Sequence, residues 1–144
     1  MDNAEKAKAT FLEGFACSQA VLITFCEKFG LDKDIALKLA DGFGGGMGRL
    51  GYTCGAVTGA FMVIGLKQGR TLAADAESKQ KTNAAIKEFI KRFKDRNRTI
   101  VCRELLDCDI STEENHKRAV ELNLFKTVCP KFVGDAAEIL DEIM

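Results

Sequence analysis

Ile86, Phe89, Ile90 and Phe93 fall at i, i+3, i+4 and i+7. That spacing places four apolar side chains on one face of an α-helix and would scatter them over both faces of a strand. The same rhythm of three and four runs through almost the whole chain, and no stretch alternates apolar and polar as a half-buried strand would. A single proline, a single tyrosine and no tryptophan leave an all-β architecture short of turn and strand formers. The fold class is therefore all-α. A chain of 144 residues reads as one domain, 1–144, a bundle of about five to seven helices. It is long enough to bury a core without metal or disulfide staples.

The punctuation divides the rhythm into elements. The first helix is expected over Asn3–Glu13. "GFACSQAVLITFCEKFG" reads as the second, stopped at Gly30. Asp32 caps a third, "DKDIALKLADGF", with Ile35, Leu37, Leu39, Ala36 and Ala40 facing inward. After a glycine-rich loop, Thr53 caps a buried helix running to Gly69. A long helix spans about Ala73–Arg96. "TIVCRELLDCD" gives a short one. "STEENHKRAVELNLF" gives another, capped by Ser111 or Thr112, with Glu114 placed for a capping box. In "CPKFVGDAAEILDEIM", Pro130 suits the first helical turn and puts Cys129 at the N-cap.

The glycine stretch "DGFGGGMGRLGYTCGAVTG" contains "GMGRLG", Gly46–Gly51, a literal G-x-G-x-x-G. A dinucleotide fold needs a strand before that motif and a second strand with an acidic residue after it. Here a helix precedes the glycines and no sheet is available. No phosphate-loop lysine follows either, so no nucleotide is expected. Gly51, Gly55 and Gly59 recur every four residues beside Ala56 and Ala60. This stripe of small residues lets two helix backbones approach closely. Glycine within a helix costs about 1 kcal/mol relative to alanine. Gly55 and Gly59 therefore imply tight packing or room for a ligand near Cys54. The upstream glycines can serve as a hinge or turn their N–H groups toward an anion.

Formal net charge is zero, with 29% charged and 47% hydrophobic residues. There is no global basic field, and no aromatic platform or reading motif accompanies the local basic run, so no nucleic acid is expected. That run, Lys87, Lys91, Arg92, Lys94, Arg96 and Arg98, reads as a solvated helix face. The longest uncharged stretch, Leu50–Leu66, is seventeen residues. It falls short of the roughly 18–20 needed to cross a bilayer and is broken by glycines. The mixed charges of "MDNAEKAKATFLEGF" argue against a secretory signal. A cytoplasmic protein without a membrane span is expected, its thiols kept reduced. The single histidine, His116, lies in polar "EENHKR" and reads as exposed, so no Cys/His dyad is positioned for hydrolysis.

Six cysteines remain: Cys17, Cys26, Cys54, Cys102, Cys108 and Cys129. None forms C-x-x-C, and without C-x-x-C-H no covalent haem is expected. Free cysteine often only fills space. Cys17, Cys54 and Cys129 are nevertheless expected at helix N-termini, where the helix dipole and free N–H groups favour thiolates.

The segments "FACSQAVL", "GFGGGMGRLGYTCGAVTGAFMVIGL", "VCRELL" and "CPKFVGDAAEIL" together resemble the C_GCAxxG_C_C family of redox-active proteins, over essentially the whole chain. The most specific part is "CGAVTG", which reads Cys-Gly-Ala where the family's label has Gly-Cys-Ala. The resemblance implies that Cys17, Cys54, Cys102 and Cys129 are the four family cysteines, with Gly55, Ala56 and Gly59 completing the motif. Cys26 and Cys108 fall outside it and read as core or incidental thiols. A related domain occurs in split-Soret cytochromes c, whose haem-attachment motifs are missing here. The resemblance brings no established reaction; the family's genes often accompany transporter genes.

Three functions fit these residues. The four cysteines can be metal ligands for an iron–sulfur cluster or zinc, with the motif glycines allowing close cofactor approach. They can instead exchange thiol and disulfide, in any of three pairings, with Cys54 as a candidate attacking thiol. Or the chain is a non-catalytic helical module with structural cysteines. The corresponding partners are a redox protein, a transport-related protein or a second copy of the chain.

Overall fold

The computed structural model describes all residues, Met1–Met144. Nine α-helical segments follow one another: α1 (Asn3–Leu12), α2 (Cys17–Phe25), α3 (Lys33–Ala40), α4 (Gly55–Gln68), α5 (Ala76–Asn97), α6 (Cys102–Leu106), α7 (Glu113–Glu121), α8 (Leu124–Thr127) and α9 (Cys129–Ile143). There is no strand, only an isolated antiparallel bridge between Thr53 and Val101. The expected short helix in "TIVCRELLDCD" forms as α6, whereas the segment "STEENHKRAVELNLF" holds α7 and the start of a separate α8, and the nine segments exceed the expected five to seven. No helix is long and apolar enough to cross a membrane.

Local chemistry explains most boundaries. Asp2 accepts from the Glu5 N–H at 2.8 Å while the Glu5 carboxylate accepts from the Asp2 N–H at 3.1 Å, a reciprocal box that starts α1. Asp32 starts α3 by accepting from Ile35 N–H. The long helix begins later than its apolar pattern suggests, because Asp75 accepts from Ser78 N–H and fixes the start at Ala76. Thr112 caps α7 through Asn115 N–H, so the expected Ser111–Glu114 box does not form. The second helix is interrupted: α2 tightens into a 3₁₀ turn over Cys26–Phe29 before Gly30, at φ 79°, stops it.

Helices α1, α2, α4, α5 and α9 enclose the core. Phe89 and Phe93 of α5 stack at 5.9 Å, Phe61 of α4 meets Phe89 edge-on at 6.1 Å, and Phe132 of α9 lies 6.4 Å from Phe93. The basic face of α5 is not simply solvated. Arg96 reaches Asp135, Glu138 and Glu142 on α9, and Arg92 reaches Glu142. The buried Asn97 donates to Asp135 and accepts from Lys131. In α3 the expected inward set divides. Ala36 and Ala40, one turn apart, are buried, while Ile35 and Leu39 are 52% and 57% exposed. The helix is drawn in by its small face, because Ser18 and Gln19 of α2 donate to the carbonyls of Ala40 and Leu37 and need a close approach.

The α2–α4 contact rests on glycines. A Cβ at Gly59 would stand 2.8 Å from the Ser18 carbonyl oxygen, and one at Gly55 would stand 3.0 Å from the Ser18 nitrogen and 3.2 Å from the Cys17 Cβ. Gly65, on the same helix, has open space around its missing Cβ. Two substitutions therefore test the packing with opposite signs. Gly65→Ala should stabilise the protein by up to about 1 kcal/mol through helix propensity. Gly59→Ala should destabilise it by about 1–3 kcal/mol, since the clash is with backbone. Urea unfolding of both variants is the check; a stabilising Gly59→Ala would contradict this account of the contact.

Candidate functional site

The four cysteines of the family order all stand at helix starts. Cys17 opens α2, Cys102 opens α6 and Cys129 opens α9, while Cys54 is the N-cap of α4. For Cys129 this corrects the expected N-cap position. Val128 takes that place in a helical conformation, because α8 runs almost directly into α9. For Cys54 it moves the expected cap from Thr53 by one residue, because Thr53 is engaged in the bridge to Val101.

That bridge fixes Cys54 against Cys102. The Cys54 N–H donates to the Ile100 carbonyl at 2.7 Å, the Cys102 N–H to Tyr52, and the Arg103 N–H to Gly51 at 3.1 Å. The glycine segment behind it is wound rather than loose. Gly45, Gly46, Met47, Gly48, Arg49 and Gly51 all have positive φ. Met47 donates to Phe43, Gly51 to Gly45, and Tyr52 to Gly46. At Gly46, φ 72°, a Cβ would stand 2.8 Å from the Cys102 Cβ and 2.6 Å from the Tyr52 nitrogen. Only glycine fits both that backbone and that space. The hinge considered from the sequence is thus a hydrogen-bonded loop that carries Cys102.

Cys17, Cys54, Cys102 and Cys129 line one cavity of about 510 Å³. Gly55 lines it too; Ala56 and Gly59 do not, and Gly59 lies in the contact with α2. Cys26 is fully buried in the main core, and Cys108 is half-buried with its thiol toward the Asn115 carbonyl. All six cysteines are free thiols. Phe11, Phe15, Leu106, Ile110, Phe125 and Phe132 form the apolar wall, and Asp41, Arg49, His116 and Lys126 are its charged or titratable members.

The thiols differ in their electrostatics. Cys17 and Cys129 interact with each other, and their values move in opposite directions. The interaction with Cys129, then burial and the neighbouring sulfurs, holds the Cys17 value well above the ordinary thiol range. The interaction with Cys17 brings the Cys129 value below the ordinary one, against its burial. Burial pushes Cys54 up to about 12, although the Ala56 and Val57 N–H groups favour its thiolate. Burial likewise pushes Cys102 up to about 12, helped by Cys129. Cys54 is therefore not the low-pKa attacking thiol expected from its place at the helix start; Cys129 is the thiol with the depressed value.

Four thiols around one cavity invite the question of a metal. No group of three or more His, Cys, Asp or Glu side chains is gathered closely enough to hold an ion. The side chains as arranged do not fit a preformed iron–sulfur or zinc cage.

The histidine is not the exposed residue that its polar neighbours suggest. His116 is half-buried, lines the cavity and packs 5.4 Å from the Phe125 ring. Burial and the Arg49 guanidinium, 3.4 Å from both ring nitrogens, lower its value and favour the neutral ring. Arg49 and Lys126 carried no sequence signal for a site, since both stand in segments without chemical motifs.

A family model described as "Putative redox-active protein (C_GCAxxG_C_C)" matches residues 15–143. Comparison with curated proteins and with solved structures returns no match.

Limited alkylation of the reduced protein near neutral pH should label Cys129 before Cys54 or Cys102, as read by peptide mapping. Labelling of Cys54 first would contradict the electrostatic order. Cys54 and Cys102 bind their protons more tightly when folded than when unfolded. Their contribution to stability is complete below the ordinary thiol value of 9.0 and is lost as pH rises toward about 12. The melting temperature should fall over that interval, and less steeply in Cys54→Ala.

Proposed function

Because the chain belongs to the C_GCAxxG_C_C family, we propose that it is a thiol–disulfide redox protein in which Cys129 and Cys17 exchange electrons with a partner disulfide. The observation that carries this reading is that Cys17 and Cys129, from the starts of two different helices, line one cavity as neighbouring free thiols. Two thiols so placed supply an attacking sulfur and a second sulfur to resolve the mixed disulfide, the two parts that exchange requires.

The cycle balances as follows. The Cys129 thiolate attacks one sulfur of the partner disulfide, forming a mixed disulfide and releasing the other sulfur as a thiolate. Cys17 loses its proton and attacks the Cys129 sulfur, which expels the remaining partner sulfur. The two released thiolates take up one proton from Cys17 and one from solvent. Two electrons have passed from the protein to the partner, and a Cys17–Cys129 disulfide remains. Cys54 and Cys102, neutral and buried beside this pair, keep its surroundings apolar. The partner itself, whether a redox protein or a transport-related one, belongs to this proposal.

Mild oxidation of the reduced protein should lower its free thiols from six by one pair, and digestion without reductant should recover Cys17 linked to Cys129. Cys17→Ser should abolish the loss, while Cys26→Ser should leave it intact. An unchanged thiol count, or stoichiometric iron or zinc in anaerobically prepared protein, would refute the exchange reading.

A further inference from the structure

We infer that the cavity is a binding site for a small organic anion, a carboxylate-bearing thiol or disulfide with an apolar body, whose carboxylate lies against Arg49 and Lys126. The sulfur chemistry of this ligand rests on the exchange reading above; the binding site does not.

The volume, about 510 Å³, lies in the range of roughly 300–1,000 Å³ typical of small-molecule sites. Its wall is apolar and aromatic, which suits a ring or short chain, and its sulfurs lie within it. Cys54, Cys102 and Cys129 are 4–8% exposed. A folded partner could bring a sulfur to them only on a protruding segment, whereas a small molecule enters whole.

Charge selects the ligand's sign. Arg92, Arg96 and Lys131 are all paired with carboxylates, but neither Arg49 nor Lys126 makes a salt bridge. Arg49 sits instead beside the His116 ring, in a left-handed conformation with φ 64°. Asp41 is the only lining carboxylate and His116 is neutral, so Arg49 and Lys126 outnumber the fixed negative charge of the wall; an ionised Cys129 brings the cavity to balance. An unpaired guanidinium is suited to a bidentate carboxylate contact.

Two charged disulfides test this: 5,5′-dithiobis(2-nitrobenzoate), an aromatic dianion, and cystamine, an aliphatic dication. Each rate with the reduced protein is divided by its rate with the urea-unfolded chain, which removes intrinsic reactivity. Arg49→Glu should slow the dianion by about tenfold or more and speed the dication. Lys126→Glu should shift both in the same directions, with far-UV circular dichroism showing that each variant is folded. Unreactive 4-nitrobenzoate should bind the reduced wild-type protein saturably by NMR titration and lose affinity in both variants. Relative rates and nitrobenzoate binding that are unchanged in both folded variants would overturn the inference, and would leave a protein thiol as the partner. Charge-dependent binding without a Cys17–Cys129 disulfide would support the site and refute the exchange reading instead.

Discussion

The backbone of α2 at Cys17 and Ser18 lies directly against Gly55 and Gly59 of α4, with no room for a side chain between them. That contact sets the rest of the site. It carries Cys17 alongside the start of α4, where Cys54 is the N-cap, and it leaves the Ser18 hydroxyl free to bind the Ala40 carbonyl at 2.7 Å. The Thr53–Val101 bridge then adds Cys102, and the packing of α9 on α1, α2 and α4 adds Cys129. Each step is held by backbone and by missing side chains, so each sulfur's position is set by rigid elements.

Four helix starts around one cavity favour negative charge, while burial disfavours it. The two effects do not cancel equally at each sulfur. At Cys54 and Cys102 burial prevails and the thiols stay protonated. At Cys129 the interaction with Cys17 prevails over burial. The result is an ordered set, with one sulfur disposed to ionise and three that hold their protons.

Much of this was legible in the sequence, and the remainder has identifiable causes. The i, i+3, i+4, i+7 rhythm of α5 is a local signal, and Phe89 and Phe93 are buried as it requires. Of the small-residue stripe, Gly55 and Gly59 make the close helix contact it foretold, while Gly51 stands before α4 at φ 75° and faces Arg103 instead. What depended on distant partners was hidden. Ile35 and Leu39 were expected inside because they are apolar, but the Ser18 and Gln19 hydrogen bonds turn the alanine face of α3 inward. Cys102 gave no sign of a helix start, because its place comes from pairing with residues about fifty positions earlier. His116 looked exposed because its sequence neighbours are polar; Phe125 and Arg49, which enclose it, come from two other segments.

The central claim is that the four sulfurs share one cavity and that Cys17 and Cys129 form its exchanging pair. A crystal structure of the protein, reduced and then oxidised in the crystal, tests it most directly. The account predicts four separate thiols around the cavity in the reduced state. After oxidation it predicts one sulfur–sulfur bond of about 2.05 Å, between Cys17 and Cys129, with Cys54 and Cys102 unchanged. A single metal peak bonded to all four sulfurs, or a bond joining any other pair, would contradict it.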